Sequence, residues 1–515
     1  MAMHRVASLA DLRQDRGIQV AVGAIKVVLV RHADEVRAYQ AECPHAGAPL
    51  ADGAVCNGHL ICPWHKAEFA IEDGSLCEPP ALDALVRYPV QIIEDQIHVE
   101  EHPAHSTYRQ LPFDNRCFVV IGAGAAGTAA VCALRDNGFN GQLLLIDRER
   151  HPAYDRTALS KFVLSAEMQP EETPPLRKEI YYQDNHIERI HGEVMKLDVI
   201  NKRLILADGR RFDYDAALIT SGGEPRTLPL IGADLPQVLT LRSRSDAKKI
   251  LTAAPSGSHA LIVGDSFIGL EAASALRKHK VEVTVIARHE IPFAAQLGER
   301  IGKAIRTLHE ANGVLFRTHV EVTRFEGNIH KGKRRLERAV LNNGERLPAD
   351  LALIGIGVGP ATQFIDGLQL EEDGSLAVNS GMLAGKDVWA AGDIATFPMN
   401  GATQRIEHWR LAQQQARIAA SNMLGGNQHY TDVPYFWTFH FGKRLDYLGH
   451  ANDWDDEVYL GEPESFDFLA LLCKQGKVAA VIGCEREREV ALLAERMKQP
   501  LFKEEALMLI RQMRA

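Results

Sequence analysis

Two stretches of the chain join an apolar run to a glycine turn and then to an alanine-rich segment: FVVIGAGAAG at 118–127 and ALIVGDSFIG at 260–269. A strand that turns on glycines directly into a helix opens a doubly wound βα unit, and finding it twice commits the middle of the chain to α/β architecture. The first run also raises the question of a membrane, because residues 117–134 carry no charged side chain and are nearly long enough to span. Gly122, Gly124 and Gly127 interrupt it where a strand passes into a helix. That suits a buried βα unit better than a lipid-facing helix, so no membrane span is expected.

A length of 515 residues is too great for one core and predicts three or four units. Ahead of the first glycine turn, residues 18–99 are short β-branched runs punctuated by glycine and proline, which read as a small all-β domain. The expected organisation is this β domain over 1–103, a linker over 104–115, a dinucleotide-binding domain in two parts (116–243 and 366–432), a second dinucleotide-binding domain over 244–365, and an α+β unit over 433–515. The last opens on the aromatic stretch PYFWTFHF at 434–441. A net charge of −9 offers no basic field for nucleic acid. The opening residues 1–12 hold Arg5 and Asp11 without an apolar core stretch, so no secretory signal is expected and a cytoplasmic location follows.

Within the β domain, Cys43 and His45 form a CxH pair and Cys62 and His65 a CxxH pair. A structural zinc site usually offers its cysteines as one pair and its histidines as another. A Rieske centre needs two thiolates on one iron and two imidazoles on the other, which two loops supplying one Cys and one His each would provide. A zinc site and unliganded buried residues remain the alternatives. The segments CPHAGAPL at 43–50 and CPWHKAEF at 62–69 resemble the two cluster loops of Rieske ferredoxins and of small nitrite-reductase subunits. High-potential respiratory Rieske proteins carry a further cysteine in each loop, joined as a disulfide. Ala48 and Trp64 stand in those places here, which places the cluster toward the low end of a range of about −150 to +300 mV.

The first glycine turn, with Gly122, Gly124 and Gly127, is followed by the strand LLLI and then Asp147. Such glycines let the backbone approach a pyrophosphate, and an acid at the end of the second strand binds an adenosine ribose hydroxyl. VWAAGDIATFP at 388–398, with Gly392 and Asp393, resembles the segment by which flavoprotein reductases hold the ribityl chain of FAD. YDRTALSK at 154–161, TLRSRSDA at 240–247 and HWRLAQQQARIAASNMLG at 408–425 are similar to the apoptosis-inducing-factor-like branch of oxygenase-coupled ferredoxin reductases, and to its Rieske-fused members over almost the whole chain. That resemblance implies Arg156, Lys161 and Arg242 around FAD and Trp409 beside its ring. It also implies Lys161 near the flavin edge, paired with Glu271, where the two would offset negative charge on the flavin. No CxxxxC dithiol accompanies the site, so disulfide-reductase chemistry is not expected.

The second turn has Gly264, Ser266 and Gly269, with serine for the middle glycine, and is read as the nicotinamide coenzyme site. The strand after it ends in Ala287, Arg288 and His289 where an NAD site has an acid. An acid repels a 2′ phosphate, so its replacement tilts the expectation toward NADPH over NADH. Together these features predict an NAD(P)H-dependent FAD oxidoreductase that feeds a fused [2Fe–2S] Rieske cluster and, through it, an unidentified acceptor. The rival reading is an apoptosis-inducing-factor-like, redox-sensing interaction protein with little turnover. A complete Rieske oxygenase would need a further domain with a two-histidine, one-carboxylate iron site, for which no residues remain.

Overall fold

The computed structural model describes residues 3–33, 35–104, 113–330 and 332–514. Most of the expected linker, 105–112, lies outside them. The N-terminal part is all β: one antiparallel sheet runs Ile18–Val22, Ile25–His32, Glu35–Gln40 and Arg87–Tyr88, and a second runs Ala54–Cys56, His59–Ile61, Glu68–Ala70 and Leu76–Glu78. A third, smaller sheet runs Met3–Ser8, Gln96–Glu100 and Val90–Ile93, with Gln96–Glu100 in the middle. Short strands with tight turns suit a domain whose purpose is to hold two loops at a fixed separation.

The first α/β unit is a six-stranded sheet in the order Ile187–His191, Gln142–Asp147, Cys117–Ile121, Ala216–Ile219, Val388–Ala390, Leu383–Gly385. Its first five strands are parallel. Strands buried on both faces need continuous apolar runs, which is what FVVI, LLLI, AALI and VWA supply. The helices Ala125–Asp136 and Trp409–Met423 pack on this sheet around Val120, Leu134 and Leu218. Strand order reverses beside Cys117–Ile121, so the crevice at its carboxyl end is the place for a ligand.

The second unit repeats the plan with five parallel strands in the order Val238–Leu239, Leu351–Ile354, His259–Val263, Glu282–Ile286, Val314–Arg317. It draws in Val238–Leu239 from ahead of residue 244. The helices Phe267–Lys278 and Glu299–Ala311 pack against it. The terminal unit is a five-stranded antiparallel sheet, opened by Tyr435–His440 and followed by the helices Glu487–Arg496 and Lys503–Arg514. Among the described residues no helix is long and apolar enough to cross a membrane.

The β domain sits against the rest of the chain through buried charge. Lys66, with no exposed surface, donates to Asp446 of the terminal sheet at 2.8 Å. Arg410, on the Trp409–Met423 helix, donates to the Pro79 carbonyl at 2.7 Å and faces Glu68 at 3.5 Å. Arg488 reaches Asp15 at 2.8 Å, Arg177 reaches Asp83 at 2.6 Å, and Ala54 and Ile61 pack on Ala491. Removing one member of a buried pair leaves an uncompensated charge, so the Lys66–Asp446 and Arg410–Glu68 contacts fix the orientation of the domain.

Candidate functional site

The two Cys/His loops close in the same way. The Cys43 amide donates to the Ala48 carbonyl and the Cys62 amide to the Ala67 carbonyl, each at 2.8 Å. The matched turns bring the Nδ1 atoms of His45 and His65 to 3.1 Å, with the rings nearly perpendicular. The buried thiols of Cys43 and Cys62 meet beside them. Burial pushes the Cys62 thiol up, but the Cys43 thiol and the N–H groups of His65 and Trp64 outweigh it and hold the group below its usual range. Two sulfurs supplied with backbone donors and two convergent imidazole nitrogens fit the division of ligands that a [2Fe–2S] Rieske cluster requires. None of the eight cysteines is in a disulfide.

A cavity of about 750 Å³ opens at the carboxyl ends of both parallel sheets. Gly122 has φ +104°, and a Cβ on Gly127 would lie 1.8 Å from the Gly122 carbonyl, so the turn and the helix that follows are compatible only with glycine there. A Cβ on Gly124 would meet nothing within 4 Å, which leaves its backbone open to the cavity at a helix N-terminus. Asp147, Arg156, Lys161, Arg242, Gly392, Asp393 and Trp409 all line the same space. Arg156 pairs with Glu149 and donates to the Arg242 carbonyl at 2.9 Å, while Arg242 pairs with Asp393 at 3.3 Å. Lys161 and Glu271 meet at 2.9 Å. The space, glycine cradle and terminal acid fit an adenine dinucleotide with its pyrophosphate at the Ala125–Asp136 helix.

Gly264, at φ +109°, repeats the first turn, and a Cβ on Gly269 would lie 2.7 Å from the Gly264 carbonyl. Ser266 is the N-cap of the Phe267–Lys278 helix, accepting from the Gly269 amide at 3.1 Å, so the serine in the motif satisfies a helix terminus. Ser266 and Gly269 line the cavity. Arg288 and His289 stand apart from the residues lining it: Arg288 pairs with Glu321 at 2.8 Å and His289 faces Asp265 at 3.7 Å, both largely exposed.

Several residues at the site were not singled out by sequence reasoning. Ser160 donates to Glu271 at 2.6 Å, and Gln415 accepts from the Gly392 amide at 2.8 Å. Trp437 lines the cavity on one side, and on the other its ring lies 4.3 Å from that of His65, centroid to centroid. Its signal was present in the aromatic stretch at 434–441, but nothing local tells a core tryptophan from a bridging one.

The comparisons agree with this geometry. Residues 2–89 match the Rieske [2Fe-2S] domain, 117–416 the pyridine nucleotide-disulphide oxidoreductase family, and 435–506 the reductase C-terminal domain. The chain is 35% identical to apoptosis-inducing factor 3 of Mus musculus, over 95% of its own length and 83% of the relative's. It is 33% identical to the ferredoxin–NAD(+) reductase component of the biphenyl dioxygenase system of Paraburkholderia xenovorans, over 72% of this chain and 91% of that one. Among solved structures, the covalent putidaredoxin reductase–putidaredoxin complex aligns with a TM-score of 0.70 and 26% identity, over 76% of this chain and 95% of that one. With a Rieske domain ahead of its two nucleotide-binding units and a reductase C-terminal domain behind them, the chain belongs to the pyridine nucleotide-disulphide oxidoreductase family.

Proposed function

We propose that this protein is an NAD(P)H-dependent FAD oxidoreductase whose electrons leave through its own Rieske domain to an acceptor not yet identified. The single observation that carries the route is Trp437, one aromatic ring between the cavity and His65. When bound, the flavin supplies exchange between two-electron and one-electron chemistry, and the cluster supplies one-electron transfer. The chain's own residues do the positioning. Gly122, Gly124, Gly127 and Asp147 hold the adenosine diphosphate part, Arg156, Arg242, Gly392 and Asp393 orient the chain toward the ring, and Trp409 covers it. Lys161, compensated by Glu271, places a cation at the ring edge. Cys43, His45, Cys62 and His65 hold the cluster, with His65 toward Trp437.

Rapid anaerobic mixing with coenzyme tests the route. Flavin absorbance should bleach first, and the cluster should then reduce in a step at least tenfold slower in Trp437→Ala than in the wild type. Equal rates in the two proteins would remove Trp437 from the path.

Coenzyme choice rests on Ala287, Arg288 and His289. Among the described residues Arg288 is held by an exposed pair with Glu321, and such pairs are worth little, so it can turn to a 2′ phosphate. NADPH should show the higher kcat/KM, and Arg288→Ala should lower that value on the order of tenfold to a hundredfold while sparing NADH, the worth of one charge-assisted bond. A marked preference for NADH would leave Arg288 as a surface charge.

A further inference from the structure

Behind the Lys161–Glu271 pair runs a buried line of hydrogen bonds. Glu271 Oε2 accepts from Lys161 at 2.9 Å and from Ser160 at 2.6 Å. Its Oε1 is met by Thr438 Oγ1 at 2.8 Å and by the Phe439 amide at 3.1 Å. Thr438 Oγ1 lies 3.0 Å from His440 Nε2, and His440 Nδ1 lies 3.2 Å from His309 Nε2. Glu271, Thr438, His440 and His309 are all at most 3% exposed. His309 Nδ1, at the far end, has no partner among the described residues.

The chemistry of these groups orders the hydrogens. A carboxylate paired with an ammonium only accepts, so the Thr438 hydroxyl donates to it. That spends the one hydrogen of Thr438, so His440 Nε2–H donates to Thr438. His440 Nδ1 is then a lone pair and takes the hydrogen of His309 Nε2, which leaves His309 Nδ1 as an open acceptor. Every donor points toward Glu271. The groups facing His440 are the Lys161 ammonium and the Leu270 carbonyl, and the one facing His309 is His440. Burial, helped by Lys161, holds His440 down to about 3, and burial likewise holds His309 well below its usual range, so both rings rest neutral.

Resting on the flavin reading of the cavity, we propose that His309, His440 and Thr438 are a proton relay through which Glu271 gains one proton when negative charge enters the cavity and returns it when that charge leaves. A proton from bulk water, reaching the buried His309 Nδ1 when the packing around it opens locally, releases the Nε2 proton to His440 Nδ1. His440 Nε2–H passes to Thr438 Oγ1, and the Thr438 hydroxyl proton passes to Glu271 Oε1. One proton enters and one carboxylate is neutralised, with no net charge left on either imidazole. Each bond then survives with donor and acceptor exchanged: Glu271 donates to Thr438, Thr438 to His440 and His440 to His309. The reversed line is set to carry the proton out again. Lys161, relieved of its carboxylate, keeps its full charge for the cavity. Thr438, His440 and His309 act only through Glu271 and touch nothing in the cavity themselves.

Redox titration of the flavin in the full holoprotein, from about pH 7.5 to 9.5, reads the proton count. For a two-electron couple each proton taken up moves the midpoint about 30 mV per pH unit, the tenfold constant of that couple. The relay adds one proton to the one that coenzyme oxidation already implies, so the wild type should fall by about 60 mV per pH unit. Thr438→Val, which keeps the shape and removes the hydroxyl, and His440→Phe should both fall by about 30 mV per pH unit with unchanged flavin absorbance. His309→Phe lies at the far end, away from the cavity, and should give the same shallow slope if either of the others fails to fold. A wild-type slope near 30, or a slope near 60 that survives the variants, overturns the relay while leaving the flavoprotein reading intact. A chain that binds no flavin overturns both.

Discussion

The His65→Ala variant is expected to bind its flavin at full occupancy and to lose the Rieske EPR signal outright. The two halves of that result come from separate parts of the fold. His65 supplies one of the two imidazole nitrogens that converge at 3.1 Å, and half of the iron's nitrogen ligation goes with it. The cavity, in contrast, is lined by residues from 121 onward and by none from the cluster loops. Wild-type protein should carry two irons and two labile sulfides per chain, measured directly, and the variant should retain its flavin spectrum. Stoichiometric zinc without labile sulfide would instead identify a tetrahedral Cys₂His₂ site.

Asp446→Asn is expected to slow electron delivery to the cluster by undocking the Rieske domain within its own chain. Asp446 is buried and answers both Lys66 at 2.8 Å and Arg444 at 2.7 Å. The amide keeps its shape but leaves the buried Lys66 and the half-buried Arg444 without this counter-charge. Breaking a buried pair in this way costs about 3 to 5 kcal/mol, or on the order of a hundred- to several-thousandfold in the docked population. Cluster reduction after mixing with coenzyme should be independent of protein concentration in the wild type. In the variant it should slow by at least tenfold and stay independent of concentration, because the tether still keeps the undocked domain nearby, while an intact EPR signal shows that the cluster still assembles. Concentration-dependent reduction in the wild type would mean that the fused domain serves a neighbouring molecule.

Much of this arrangement was legible because its signals are local. The cluster loops and both glycine turns each occupy fewer than thirty consecutive residues, and the physics that demands glycine at Gly122 and Gly264 acts on a single turn. What local patterns do not carry is side-chain direction and long-range company. Arg288 and His289 stand at the expected strand end, yet the one meets Glu321 and the other Asp265. Lys161 and Glu271 are 110 residues apart, and their pairing came from family resemblance alone. The buried line from Glu271 to His309 combines residues from three separated segments, each of which reads by itself as ordinary helix or strand. The docking contacts are harder still. Lys66 and Asp446 are 380 residues apart, and a lysine just after a metal-ligand motif looks like any solvated charge until the sheet that buries it is in place.

The contact of the His65 and Trp437 rings would make the fusion a filter as well as a conduit. Any diffusing carrier that sought electrons at the Trp437 edge would compete with an occupant that is always present, at an effective concentration in about the millimolar range for a short tether. Against that, a carrier at micromolar abundance is outnumbered by about a thousandfold. Rival redox proteins at that abundance are all disadvantaged by the same factor, without any residue being needed to recognise and reject them. Selectivity of this kind is topological: it is set by which domain the gene places on the same chain, and it would persist through wide variation of the exposed surface.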